Sequence, residues 1–209
     1  MTDLPQDILR DYATGATSPG VALLVSSQMT RAPRHRATLA DYESVAGALF
    51  ADEDPAPLGE DLLAETLARI GQEPEPGPRD APDPGPLPAP LITAVGRDFD
   101  TIPWRFCLPG VSEHRLKGFG EEQVSLLRAR PGVAIPQHTH EGREVTLVLT
   151  GALQDGHTVF GPGDVSINDE DDDHKPRIVG TEICHCLIVM SGALRFTGRF
   201  GRALNLLAE

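Results

Sequence analysis

Residues 132–151, GVAIPQHTHEGREVTLVLTG, contain the pattern that decides the fold and the candidate site of this chain. His138 and His140 are two residues apart, so both imidazoles point to the same face of an extended strand. Gly142 supplies the backbone freedom for a tight turn, and Glu144 then opens an apolar strand and can face back to the same point. Two imidazoles and a carboxylate this close together form a suitable ligand set for a divalent metal.

A second glycine-rich stretch extends the pattern. Residues 160–164 are FGPGD, and His174 follows them. Both stretches resemble the two motifs of the cupin family, and the first motif matches at Gly132, His138, His140, Glu144 and Gly151. The resemblance implies a small antiparallel β-barrel in which His174 is the fourth ligand. A barrel that has lost its metal is the alternative, because a single histidine on a strand is more often solvated or hydrogen-bonded.

The composition limits the classes of partner. Lys and Arg number 18 against 31 Asp and Glu, which gives a net charge of −13. Such a chain is a poor non-specific binder of nucleic acid and a suitable partner for a basic protein surface. The sequence has no apolar run of the ~20 residues that span a membrane, and its first residues lack the pattern of a signal peptide. We therefore expect a cytoplasmic protein with neither direct nucleic-acid contact nor a membrane segment.

The first third of the chain has helical periodicity. Apolar spacing and helix-end signals predict four helices. They cover residues 4–15, the stretch from Ser18 and Pro19 to a break at Ala32 and Pro33, residues 38–50 and residues 59–71. Residues 1–72 are thus predicted to form a small all-helical domain. It contains few large aromatic residues, so its thin core would need a partner or a second copy to be well ordered.

The next segment, residues 73–90, contains eight prolines and is predicted to be a semi-rigid linker. From about residue 91, short alternating stretches separated by Gly and Pro predict an all-β domain over residues 91–209. Strands are predicted at 102–107, 114–118, 122–130, 133–137, 144–149, 158–160, 164–167, 177–178 and 182–190. The acidic stretch 168–173 is either a solvated loop or a cation site, and the apolar tail is expected to close or cover the barrel.

Three cysteines, an odd number, do not suggest a secreted disulfide framework. Cys184 and Cys186 would lie on one face of a strand, with His185 on the other. Two interpretations stay open: a pair of small buried apolar side chains, or a redox-sensing thiol pair. A disulfide between positions i and i+2 of a regular strand is geometrically unfavourable. The pattern assigns no role to Cys107.

Nearly the whole chain resembles the ChrR family of anti-sigma factors, in which a helical anti-sigma domain precedes a C-terminal cupin. The matching stretches are residues 8–15 (ILRDYATG), 64–70 (AETLARI), 184–187 (CHCL) and 194–202 (LRFTGRFGR). The resemblance implies that the helical domain sequesters an extracytoplasmic-function sigma factor, and that the cupin senses oxidative stress or a small ligand. We expect one divalent metal in the cupin, with Zn first and Fe, Mn or Ni as alternatives. Cupins commonly pair through their sheets, so a homodimer also stays open.

One departure from the family lies in the helical domain. The family has a zinc motif of His, three residues, Cys, two residues and Cys, and the matching positions here are Gln28, Ala32 and His35. Both cysteines are missing, and Pro33 interrupts the helix. We therefore expect no structural zinc in this domain, and packing must replace some of the ~10 kcal/mol that such a site contributes.

Two other functions compete with this interpretation. The chain could be a metal-dependent cupin enzyme of the dioxygenase or isomerase type, acting on an unknown small molecule. No general base stands beside the ligands, and His157 and His185 qualify by residue type alone. The chain could also be a remnant that kept the fold, lost sigma binding and acts as a metal-dependent small-ligand binder.

Overall fold

The computed structural model describes residues 3–71 and 85–198, together with Gly201 and Asn205. Helices come first and antiparallel strands follow. The helices are α1 (Gln6–Ala13), α2 (Pro19–Arg31), α3 (Arg36–Ala51), α4 (Leu62–Ile70) and α5 (Ala89–Val95), with short 3-10 helices at Pro33–His35 and Phe99–Thr101. The strands are β1 (Arg105–Leu108), β2 (Val111–Leu116), β3 (Gln123–Ala129), β4 (His138–His140), β5 (Glu144–Thr150), β6 (Ala152–Asp155), β7 (Thr158–Phe160), β8 (Val165–Asn168), β9 (Arg177–Val179), β10 (Cys184–Met190) and β11 (Leu194–Phe196).

The four predicted N-terminal helices are confirmed. Helix α2 begins at Pro19 after an extended Ser18 and ends at Arg31, because Pro33 has no N–H group with which to continue the helix. Helix α4 begins at Leu62, three residues later than predicted. No helix within residues 3–71 or 85–198 is both long and apolar enough to cross a membrane.

The strands form a cupin-like β-sandwich. One sheet has six strands in the order β1-β2-β3-β10-β5-β8, a second has the order β7-β6-β9, and β11 pairs with β4. Their pairings are antiparallel. Only β1–β2, β2–β3 and β6–β7 are consecutive in the sequence, and the other described pairs join strands that are distant in the chain. The tail therefore contributes a strand: β11 places Leu194 opposite His140 and Phe196 opposite His138.

The two faces of the six-stranded sheet have different partners. On β5, Leu147 and Leu149 belong to a core that includes Leu24 and Val25 of α2, whereas Val148 belongs to a second core on the opposite face. This alternation follows from the two-residue period of a strand. The helices thus share a core with the outer face of the sheet, and this sharing explains how a helical part with few large aromatics is packed.

The structure corrects several predicted strands. Residues 133–137 form no strand and contribute only a bridge between Ala134 and Arg177, since Pro136 cannot donate to a ladder. The predicted change to strands at residue 91 is wrong as well, because α5 occupies residues 89–95, with proline in its first turn and Gly96 as its left-handed cap. Strands β6 and β11 were not predicted.

The prediction of a linker over residues 73–90 falls mostly on residues 72–84, which lie outside the described part of the chain. At its end, the last two linker positions are the first residues of α5. The proposed boundaries of 1–72 and 91–209 stay predictions.

Candidate metal centre

The β-sandwich brings the four predicted ligands together. His138 and His140 lie on β4, Glu144 begins β5, and His174 forms an isolated bridge with His138. One ligand atom from each residue lies within 4.8 Å of the others. His138, His140 and Glu144 are buried, and the His174 side chain is only 9% exposed. Two distant segments of the chain therefore converge on one interior point.

Backbone pairing sets this convergence. The His138 N–H donates to the His174 carbonyl and the His174 N–H donates to the His138 carbonyl, both at 3.0 Å. The turn between β4 and β5 has Gly142 at a φ of +121°, a conformation that favours glycine. These local features hold His138, His174 and the Glu144 strand in register with one another.

Two of the histidines have a defined tautomer. The Nδ1 of His138 lies 2.7 Å from the Pro136 carbonyl oxygen, and the Nδ1 of His174 lies 2.6 Å from Asp155 Oδ2. A carbonyl and a carboxylate only accept, so each Nδ1 carries its proton and each Nε2 is the nitrogen left to bind. The Nε2 of His174 is buried without a hydrogen-bond partner among the described residues.

His140 and Glu144 complete the donor set. Neither ring nitrogen of His140 has a hydrogen bond within the described part of the chain, and its Nε2 lies 3.0 Å from Glu144 Oε2. The other carboxylate oxygen, Oε1, accepts from Thr146 Oγ1 at 3.1 Å. Buried imidazole nitrogens without partners are costly, so this set fits a metal ion well.

The ion that suits three imidazoles and one carboxylate is a divalent transition metal, and the residues do not choose among Zn, Fe, Mn and Ni. His138, His140, Glu144 and His174 would hold it. When bound, such an ion supplies Lewis acidity and a coordination position for a small ligand.

At two of the four ligands, His138 and Glu144, the electrostatics favour the protonation states that a metal requires. Burial lowers the pKa of His138. Burial alone would raise the pKa of Glu144, but the close contact with the His140 ring and its charge hold this pKa below its usual value. For His174, burial acts to lower the pKa and the Asp155 carboxylate raises it, with a net rise. A neutral His138 beside an ionised Glu144 is the pair that binds a cation.

Asp155 is a site residue that the sequence analysis missed. It ends β6, its side chain is 12% exposed, and it orients His174 from a position 19 residues earlier in the chain. Shallow cavities of about 410 and 490 Å³ adjoin this pair from outside. The spacing of Asp155 and His174 in the sequence gives no indication of their contact, because β6, the strand that brings them together, was not predicted.

The cysteine pair lies on the inner side of β10. Cys184 and Cys186 are free and buried, with their Sγ atoms 3.6 Å apart. The contact with Cys184 and burial raise the pKa of the Cys186 thiol well above its usual value. This matches the interpretation of two packed apolar side chains, and a redox-sensing role stays a prediction.

The remaining histidines stand apart from the ligand cluster. His157 is exposed. His185 is buried on the opposite face of β10 from the cysteines, where its ring lies 5.0 Å from Phe99 and 5.9 Å from Trp104 between centroids. The predicted acidic loop at 168–173 follows β8, and Asp169 accepts from the Asp171 N–H within it.

Comparison with known proteins agrees with this architecture. The family described as "ChrR Cupin-like domain" matches residues 93–194. The anti-sigma-E factor ChrR of Cereibacter sphaeroides is 35% identical over 192 residues, which is 90% of this chain and 89% of that protein.

One solved structure matches over nearly the whole chain. The crystal structure of Rhodobacter sphaeroides SigE in complex with the anti-sigma ChrR matches with a TM-score of 0.78 and 32% identity, over 91% of this chain and 98% of the other. A cupin protein from Ralstonia eutropha matches half of the chain at 21% identity and a TM-score of 0.44, and 72% of that chain is covered. Because the two ChrR matches extend over both the helices and the cupin, this chain belongs to the ChrR family of anti-sigma factors.

Proposed function

We propose that this protein is an anti-sigma factor that sequesters an extracytoplasmic-function sigma factor through its helical part. The cupin would hold one divalent metal, zinc in our proposal, and respond there to oxidative stress or to a small ligand. The action would take place in the cytoplasm, where the sigma factor would otherwise bind RNA polymerase. The related crystal structure is of SigE in complex with ChrR, and it supports a sigma factor as the partner.

One observation in this chain carries the proposal. The second half of α3, the following loop and α4 expose a series of large apolar side chains, and α4 contains no buried residue. We call this the α3–α4 face, and its residues are Val45, Leu49, Phe50, Leu58, Leu62, Leu63, Leu67 and Ile70, which are 45–80% exposed. Apolar exposure on this scale is typical of a surface that binds another protein.

The charge around this face indicates the chemistry of the partner. Acidic residues outnumber Arg36 and Arg69 between residues 36 and 71, and the whole chain carries a net charge of −13. A segment that combines acidic residues with exposed apolar side chains attracts a basic surface and then gains affinity from burial. A sigma factor, which must meet nucleic acid, has basic surfaces of this kind.

Co-expression with an extracytoplasmic-function sigma factor of the same organism, followed by pull-down, tests the proposal. We expect a one-to-one complex carrying about one metal per chain. Phe50→Asp should reduce recovery of the sigma factor at least tenfold, because it places a charge among the apolar side chains of the α3–α4 face. Phe106→Asp is the matched control, since Phe106 is 75% exposed on β1 whereas Phe50 is 80% exposed on α3. A protein that elutes alone with a metal-loaded cupin would sink the anti-sigma proposal.

The metal centre itself favours a second candidate, a metal-dependent enzyme of the dioxygenase or isomerase type. Its support is the set of three imidazoles and one carboxylate, with buried ring nitrogens left without partners in the described part of the chain. Turnover of a small oxygenated substrate by the Fe²⁺- or Mn²⁺-loaded protein, lost in Glu144→Gln, would establish it. If no turnover is found and the sigma complex is recovered, the result favours the regulatory function over the enzymatic one.

A further inference from the structure

Helix α2 lies against the β-sandwich and is attached to it at its first turn. Ser18 makes no side-chain cap for its own helix. Its Oγ instead donates to Glu122 Oε1 at 2.5 Å, and the Gly20 N–H donates to Glu122 Oε2 at 2.8 Å. A carboxylate just before β3 therefore satisfies a free donor of the helix and complements its dipole.

The far end of α2 is attached as well. The Nε2 of Gln28 donates to the Gly163 carbonyl at 3.3 Å, and the Nη2 of Arg34 donates to the same oxygen at 3.1 Å. Arg34 also lies 3.4 Å from Asp164 Oδ1 and 2.7 Å from Asp3 Oδ1. The turn between β7 and β8 is thereby tied to α2, to the 3-10 helix that follows it and to the N-terminal segment.

Between these attachments the contact is close. A Cβ atom on Gly20 would lie 2.7 Å from Val124 Cγ2 and 3.0 Å from Val189 Cγ1. Leu24 and Val25 are fully buried in the core shared with the sheet. Only glycine allows the helix backbone to approach the strands this closely.

The positions of the family's zinc motif now have identified contacts. Gln28 is fully buried and reaches Gly163. Ala32 lies against the same turn, where a Cβ on Gly163 would be 3.0 Å from the Ala32 Cβ. His35 Nε2 accepts from the Leu4 N–H at 3.4 Å. These residues therefore connect the helical part to the sandwich and to the N-terminal segment.

We infer that this attachment, the α2 clasp, replaces a local metal cross-link and makes the order of the helical part depend on the sandwich. The α2 clasp consists of Ser18, Gly20, Gln28 and Arg34 on the helical side and of Glu122, Gly163 and Asp164 on the sandwich side. Opening the clasp loosens α2 and the α3 helix that follows it. The part of this inference that concerns release of a partner rests on the proposed function.

The clasp also has a short connection to the metal centre. Asp164 immediately precedes β8, and β8 pairs with β5 so that Asn168 lies opposite Glu144. A rearrangement of β5, which begins at Glu144, would be transmitted to Gly163 and Asp164 through the pairing of β5 with β8.

Hydrogen exchange measured by mass spectrometry on the full chain tests the clasp. In Glu122→Ala we expect amides of α2 and α3 to exchange about fivefold faster, the usual size of a lost helix cap. In Arg34→Met, which keeps the length of the side chain, we expect about tenfold faster exchange, because charge-assisted hydrogen bonds are lost. Amides of β5 and β10 should keep their wild-type protection. Glu121→Ala and Arg36→Met are matched exposed controls on the same segments and should change nothing.

Two results would overturn the inference: wild-type protection of α2 in both clasp variants, or an equal loss of protection in α2 and in the strands. If Arg34→Met gives too little folded protein, Arg34→Lys provides the same comparison with a smaller change. The measurement requires no sigma factor, so its failure is distinct from failure of the proposed function. Where the sigma complex forms, Arg34→Met should weaken it although it replaces no residue of the α3–α4 face.

Discussion

The Nδ1 of His174 lies 2.6 Å from Oδ2 of Asp155, and both side chains are nearly buried. The hydrogen bond joins a metal-ligand candidate on one segment to a carboxylate on β6. It lowers the pKa of Asp155 against the opposing effect of burial. The carboxylate thus remains an acceptor at neutral pH and keeps the proton of His174 on Nδ1.

Replacing this carboxylate should weaken metal binding without removing a ligand. In Asp155→Asn we expect the affinity for Zn²⁺ to fall by about 10- to 100-fold, since the ring loses its orientation and basicity. Competition with a chromogenic chelator measures the change. Asp173→Asn is the control, because Asp173 bonds Gln137 and Thr197 rather than a ligand. Equal affinities in wild type and Asp155→Asn would show that Asp155 has no positioning role.

The four predicted ligands can be tested directly. His140→Ala should abolish stoichiometric metal binding, because it removes a fully enclosed donor from the cluster. His157→Ala, at an exposed histidine, should retain about one metal per chain. Elemental analysis of purified protein measures the metal content per chain. About one metal per chain in His140→Ala would place the metal elsewhere.

The residues of this site that could be predicted are those that lie close together in the sequence. His138, His140 and Glu144 follow from the two-residue period of a strand and one glycine turn. Asp155 could not be predicted, because its contact with His174 depends on where β6 settles against β9. The same holds for Glu122, which reaches α2 from a segment more than 100 residues away.

The secondary structure shows the same difference between features that follow from local sequence and features that depend on distant contacts. The four N-terminal helices follow from apolar spacing, whereas α5 was missed because its prolines resembled those of the preceding segment. Gly20 was an available signal for the docking of α2, since a glycine inside a helix often marks close backbone approach. The sequence pattern alone does not indicate which sheet the helix approaches.

The cysteines should differ in reactivity. Cys184 and Cys186 are buried, and the raised pKa of Cys186 keeps its thiol protonated at neutral pH. Cys107 is exposed, although burial of its thiol and Glu113 raise its pKa. We therefore expect iodoacetamide to add one label to the native protein, slowly and at Cys107, and three labels after unfolding. Mass spectrometry counts the labels.

The control for this labelling is Cys107→Ser, which should take up no label in the native state. Rapid native labelling of Cys184 or Cys186 would contradict the packing interpretation. Such a result would instead favour the alternative of an accessible redox-sensing pair.

His185 should make the stability depend on pH. Burial and the charge of Arg128 lower its pKa to about 4 from the ordinary 6.5. A depressed pKa means that the folded protein binds fewer protons than the unfolded chain. The contribution is therefore fully present above pH 6.5 and is lost as the pH falls from 6.5 towards 4. The loss should be no more than about 3 kcal/mol.

The variant His185→Gln isolates this effect. The amide retains a partner for Thr150, whose Oγ1 lies 2.7 Å from His185 Nδ1, and it does not titrate. Urea unfolding of metal-free protein at several pH values should give a shallower fall in the free energy of unfolding for His185→Gln than for the wild type. His157→Gln, at an exposed position, should retain the wild-type slope. Parallel slopes in all three proteins would mean that His185 has the same pKa in the folded and unfolded protein, and would contradict a lowered pKa.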